Sequence, residues 1–152
     1  MNIKGSKDRL STLAFTIIVV LSAWFIWFKS PPLKKLSLQI GGHTLQAEVA
    51  DNNKTIERGL MFRLRLSDNE GMLFVLPEAL ELCMWMKNTF IPLSVAFITD
   101  KGEITNMAEM QPLNLQNHCA NKPVKFALEM PKSWFETKSV SVGDKFTGLP
   151  GK

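Results

Sequence analysis

Between Val124 and Met130 the chain reads Val-Lys-Phe-Ala-Leu-Glu-Met, with Val124, Phe126, Leu128 and Met130 at every second position. A period of two sorts side chains onto the two faces of an extended strand, and a helix cannot separate them that way. The alternation recurs at Leu36-Ser37-Leu38-Gln39-Ile40, at Leu45, Ala47 and Val49, and from Leu80 to Lys87. Gly41-Gly42 and Asp100-Lys101-Gly102 supply turns, predicting one hairpin around each. The second joins a strand at Leu93–Thr99 to one bearing Ile104, Asn106, Ala108 and Met110 on one face. Gly71 opens Met72-Leu73-Phe74-Val75-Leu76, an apolar run ended by Pro77, as in a strand buried on both sides. Asp51 or Asn52 caps a short helix through Arg58, and Pro131 starts another carrying Trp134 and Phe135. A last strand is expected near Asp144 to Thr147. Many short strands with one or two short helices predict a mainly β fold, a β-sandwich or partly closed barrel.

The first thirty residues have a different character. Leu13 to Phe28 contains no charge, and at 1.5 Å per residue the stretch from Ser11 spans about 27 Å, close to a hydrocarbon core. Ser22-Ala23 is followed by five bulky apolar residues, so a signal-peptidase site is not expected. Trp24 and Trp27 suit a membrane interface. The expected organisation is a cytoplasmic stub and signal-anchor transmembrane helix over 1–29, with residues 12–28 in the membrane. A linker with Pro31-Pro32 follows over 30–35, then a β domain over 36–152. Basic residues flank the span almost evenly, and a short basic N-terminus favours an outward, periplasmic domain on the inner (plasma) membrane. Of the 18 basic and 14 acidic residues, the segment before Leu33 takes four and one, leaving 14 against 13 in the domain. The basic balance therefore belongs to the tail and predicts no nucleic-acid partner for the domain.

Gly59-Leu60-Met61-Phe62-Arg63, Gly71 to Leu76, Trp85-Met86-Lys87-Asn88-Thr89-Phe90-Ile91-Pro92-Leu93, Phe126 to Met130 and Val142-Gly143-Asp144 follow one another in this order. The string resembles the domain of unknown function 192 family over about residues 36 to 147. The resemblance implies a compact jelly-roll-like β-sandwich, often behind a signal or anchor, with no established activity and no cofactor. Where the family pattern carries aspartate after Ile-Pro-Leu and again after Phe-Ile, this chain has Ser94 and Thr99.

Several groups are candidates for chemistry. Lys87, Asn88 and Thr89 end a strand, and Trp85 shares a strand face with Lys87, a stacking and hydrogen-bonding surface for a small polar ligand or a partner protein. The competing reading of Asn88 and Thr89 is a turn held by side chain to backbone bonds. Arg58, Arg63 and Arg65 flank the Gly59 break and can hold a carboxylate or phosphate in bidentate fashion or sit in a solvated, paired face with Glu57, Asp68 or Glu70. Glu129 alternates away from the core side of its strand, as an exposed residue or a partner for an arginine. Met84 and Met86, completed by His118, Met107 or Met110, form an alternative Cu(I) or Ag(I) site, weighed against ordinary core filling. Cys83 and Cys119 are the only cysteines. They form a candidate disulfide in an oxidising compartment, and only the fold sets their separation. No nucleophile and base, metal-hydrolase or phosphate-loop signature is present. An enzyme reading requires a buried, perturbed Lys87, Glu129 or Cys83 in a cleft.

Overall fold

The computed structural model describes residues 32–151. The apolar run and the first two residues of the linker lie outside these residues. Among the described residues no helix is long and apolar enough to cross a membrane.

Strand β1 (Lys35–Ile40) turns at Gly41-Gly42 into β2 (His43–Ala50). Both glycines have positive φ, 55° and 80°, which is what a two-residue hairpin turn requires. Helix α1 (Asn53–Arg58) is capped by Asn52, whose side chain accepts from the Thr55 amide while Thr55 Oγ1 accepts from the Asn52 amide. It ends at Gly59, also at positive φ, where a Cβ would meet the Phe74 ring at 3.3 Å. Strand β3 (Glu70–Leu80) lies parallel to β2, and α1 is carried in the crossover. Then come β4 (Cys83–Met84), β5 (Leu93–Ile98), β6 (Ile104–Met110), β7 (His118–Cys119), β8 (Val124–Pro131) and α2 (Trp134–Thr137).

One six-stranded sheet, in the order β1-β2-β3-β8-β5-β6, dominates, and β4 and β7 form a separate two-residue ribbon. The mainly β prediction with one or two short helices holds, the structure having two among the described residues. The arrangement is nearer a partly open, single sheet than two packed sheets, and the parallel β2–β3 pair departs from the antiparallel pattern of a jelly roll. Residues 144–147 do not make a full strand. Isolated bridges tie Thr147 to Gln39 at the β1 edge and Lys145 to Glu103 just before β6, so this segment links the two edges of the sheet.

Both faces of the sheet are covered, which is why β5 is buried along its whole length. On one face Leu38, Leu45, Leu73, Ile98, Phe126, Leu128 and Met130 pack with Trp134, Phe135 and Phe146. On the other, Met72, Phe74, Val95, Phe97 and Ala127 lie in a cluster with Leu60, Met84 and Met86. The predicted second strand is regular for only two residues, but its period of two survives in burial. Met84 and Met86 are buried while Cys83, Trp85 and Lys87 are exposed. Strand β3 also runs past Pro77 to Leu80, because a register irregularity between Val75 and Leu80 relieves the ladder of the missing N–H.

Candidate functional site

Glu129 is not the exposed residue or arginine partner that alternation alone predicts. In β8 it stands opposite Met72 of β3 and Val95 of β5, so its side chain rises among apolar neighbours on the second face of the sheet. That face is roofed by the α1 to Leu60 segment and by the Leu82–Met86 stretch, and Glu129 is only 3% exposed. Among the described residues nothing donates a hydrogen bond or presents a charge to its carboxyl, and burial alone pushes its pKa from 4.5 up to about 8. The group therefore holds its proton at neutral pH.

The carboxyl borders a pocket of about 260 Å³. Ile56, Leu60, Met61, Phe74, Leu82 and Met84 supply apolar walls, while Trp85, Lys87 and Thr89 supply the polar side. Lys87 Nζ sits 5.2 Å from the centroid of the Trp85 ring, a cation–π contact at the rim. Thr89 is buried and its hydroxyl donates to the Lys87 carbonyl at 3.3 Å, so it shapes the turn as well as the pocket. A larger concavity of about 400 Å³ lies between β6 and α2, but its acids Glu109 and Glu136 are exposed, and no buried titratable group faces it.

Of the six residues read from the sequence as ligand-binding, the fold gathers four, Trp85, Lys87, Thr89 and Glu129, around one pocket. Asn88 is the turn residue, at φ 55°, with its amide nitrogen 4.0 Å from Met61 Sδ. Arg63 is elsewhere. It is paired with Glu48 of β2, not with Glu57, Asp68, Glu70 or Glu129, because the connection after α1 folds back over the first hairpin. Sequence reasoning passed over the walls Ile56, Leu60, Phe74 and Leu82, whose apolar spacing is indistinguishable from ordinary core.

Cys83 and Cys119 face each other in register across β4 and β7 and are bridged. The bridge lies beside the pocket and removes both thiols as nucleophiles or metal ligands. Met84 faces His118 across the same ribbon, and His118 Nε2 is buried without a partner. Among the described residues no three His, Cys, Asp or Glu side chains converge as a metal site. The two positions that depart from the family pattern are structural here. Ser94 accepts from the Ser133 amide at 2.7 Å and donates to Glu109, while Thr99 Oγ1 accepts from the Glu103 amide.

A protein of Sinorhizobium meliloti 1021, described as a candidate transcription regulator, has a similar crystal structure. It is 30% identical with a TM-score of 0.76, over 79% of this chain and 98% of that one. A protein of unknown function from Novosphingobium aromaticivorans DSM 12444 is 27% identical with a TM-score of 0.73, over 78% of this chain and 93% of that one. No curated protein matches the chain. Residues 36–148 match the model of the domain of unknown function 192 family, described as uncharacterized ACR, and the chain belongs to that family.

Proposed function

We propose that the protein is a membrane-anchored, extracytoplasmic binding module that takes a small ligand with an apolar body and one hydrogen-bonding head. The observation that carries this is the Glu129 carboxyl, only 3% exposed, without a hydrogen-bond partner among the described residues and facing a pocket. An unsatisfied buried polar group is costly, on the order of 1–3 kcal/mol. A ligand head that pairs with it recovers that cost. The protonated carboxyl offers one O–H donor and acceptor lone pairs, so amides, alcohols and amines are the matching heads. About 260 Å³ admits only a small molecule, and the Trp85 ring is placed to cover it.

Two observations support the outward location. The apolar stretch 13–28 has the length and interfacial tryptophans of an anchor, and the Cys83–Cys119 bridge is at home in an oxidising compartment. Nucleic-acid binding is not carried over from the name of the Sinorhizobium meliloti relative, since the domain's charges nearly balance.

The test is a thermal-shift series on residues 33–152 with small amides, alcohols, amines and sugars. A ligand at 100 times its Kd stabilises by about 2.7 kcal/mol, which moves Tm by roughly 8 to 15 °C in a domain of this size. The shift should vanish in Glu129→Leu. A shift that survives that substitution places the ligand elsewhere.

One observation favours a second reading. A carboxyl poised to exchange a proton near neutral pH is also what general acid–base catalysis uses. Binding is preferred because the pocket offers no partner for such a step: Cys83 is bridged, and the Thr89 hydroxyl is engaged with the Lys87 carbonyl. A soft-metal role rests on Met84 and the unpartnered His118 Nε2, and it predicts stoichiometric Ag(I) binding that His118→Ala abolishes.

A further inference from the structure

Three turns of the domain hold bulky or polar residues where glycine would be at ease. Phe62, Asn88 and Leu113 have φ of 63°, 55° and 60°, in the left-handed region. For a residue as large as phenylalanine or leucine that conformation is strained. The three turns are tied together: the Phe62 amide donates to the Asn88 carbonyl at 2.8 Å, and the Leu113 amide to the Thr89 carbonyl at 3.0 Å. The strained side chains do not pack inward. Phe62 is 56% exposed and Leu113 55%, next to Leu64 at 82%, Phe90 at 46% and Leu115 at 63%. The Phe62 and Phe90 rings meet edge to face at 6.3 Å. Strain is thus tolerated to hold apolar groups in water, the reverse of what stability alone selects.

The patch also has a position relative to the point where the N-terminal tail joins the domain. Arg63, between Phe62 and Leu64, pairs with Glu48, which stands opposite Lys35 at the start of β1. Only four residues separate Phe28, the end of the apolar run, from Leu33, a reach of at most about 18 Å. Close in sequence to the patch or to the tether, Lys34, Arg65 and Lys87 are exposed cations, against the acids Asp68 and Glu70, of which Glu70 is paired to Lys35.

We propose that Phe62, Leu64, Phe90, Leu113 and Leu115 form a docking surface that inserts into the interface of the bilayer holding the chain's own apolar run. Aromatic and leucine side chains on loops, flanked by lysine and arginine, are the composition that an anionic headgroup region accepts. The inference rests on the anchoring proposed above. It adds that the domain is held against the membrane by its own surface and not only by its tether.

The test uses the full chain, reconstituted in vesicles of phosphatidylethanolamine and phosphatidylglycerol, with a nitroxide at Leu115→Cys or, as control, at Val142→Cys, and the native disulfide intact. Val142 is equally exposed, at 57%, and follows the segment that covers the opposite face of the sheet. Position 115 should collide with oxygen and be shielded from an aqueous nickel chelate, whereas position 142 should show the opposite preference. Adding Phe62→Gly and Leu113→Gly should remove the difference without lowering Tm, since glycine relieves both strained turns. Equal access of the nickel chelate to both positions overturns the docking surface while leaving the anchor standing. Release of the full chain by alkaline carbonate sinks both readings. Spin–spin broadening at position 115 assigns the patch to a second copy and overturns the lipid assignment. A fall in Tm of the glycine variant shows that the side chains serve packing, and also refutes the proposal.

Discussion

Glu129 should make the stability of the domain fall steeply between weakly acid and weakly alkaline pH. Its pKa rises from 4.5 to about 8 on folding because the carboxylate loses its water and finds no partner. Between those values the unfolded chain has released the proton while the folded domain still binds it. Since the native state holds more protons, stability decreases as pH rises through the window and is level outside it. At 1.36 kcal/mol per pH unit the full decline sums to about 5 kcal/mol, a large part of the 5–15 kcal/mol that a domain commonly has. Urea unfolding of residues 33–152, which hold the whole family match over 36–148, should be followed by tryptophan fluorescence from pH 4.5 to 8.5. The same series on Glu129→Gln removes the titration and keeps the shape. Both histidines are present in both proteins, so their contribution cancels in the difference. The two curves should converge at low pH, apart from a constant offset for the amide, and diverge by several kcal/mol by pH 8. Curves that stay parallel would falsify the description of Glu129 as a buried, unpartnered acid, and with it the basis of the proposed pocket.

Other consequences are independent of this one. Reducing the Cys83–Cys119 bridge, or replacing both by serine, reopens a loop whose ends are 36 residues apart and should cost about 4 kcal/mol, on the order of 15 °C in Tm. A calorimetric change near zero on reduction would show that the bridge does not constrain the unfolded chain. Gly71→Ala should destabilise by about 1–3 kcal/mol or more, because a Cβ there would lie 2.4 Å from the Glu129 carbonyl oxygen and from Met130 Sδ, and the main chain cannot give way cheaply. Equal urea midpoints for the parent and this variant would contradict the close approach of β3 to β8. Arg63→Ala should cost under about 1 kcal/mol, as expected for a partly exposed pair, and leave ligand-induced shifts intact. Loss of ligand response in that variant would return Arg63 to the site.

Much of the fold is legible because it follows from short-range rules. Gly41-Gly42 marks its hairpin since two successive residues need positive φ, and Asn52 with Thr55 marks the helix start since their side chains replace missing helical hydrogen bonds. The alternation at Val124–Met130 separates two faces of a strand. It does not say whether the second face is wet. That was decided by residues 56–61 and 82–86, far away in sequence, which cover it and turn Glu129 from a surface acid into a buried one. Arg63 illustrates the same limit, since its three acidic sequence neighbours lost to Glu48, brought close by the return of the chain over the first hairpin.

The sequence by itself determined most of the main-sheet strands, the hairpin turns, the family and the contrast between an apolar tail and a nearly neutral domain, all of which depend on neighbours within a few residues or on a shared motif order. The tertiary structure alone decided that β2 and β3 run parallel, that Cys83 meets Cys119, and that Trp85, Lys87, Thr89 and Glu129 share one pocket. Each of these depends on which elements pack against which, and long-range packing is settled by the summed burial of the whole chain rather than by any local stretch of it.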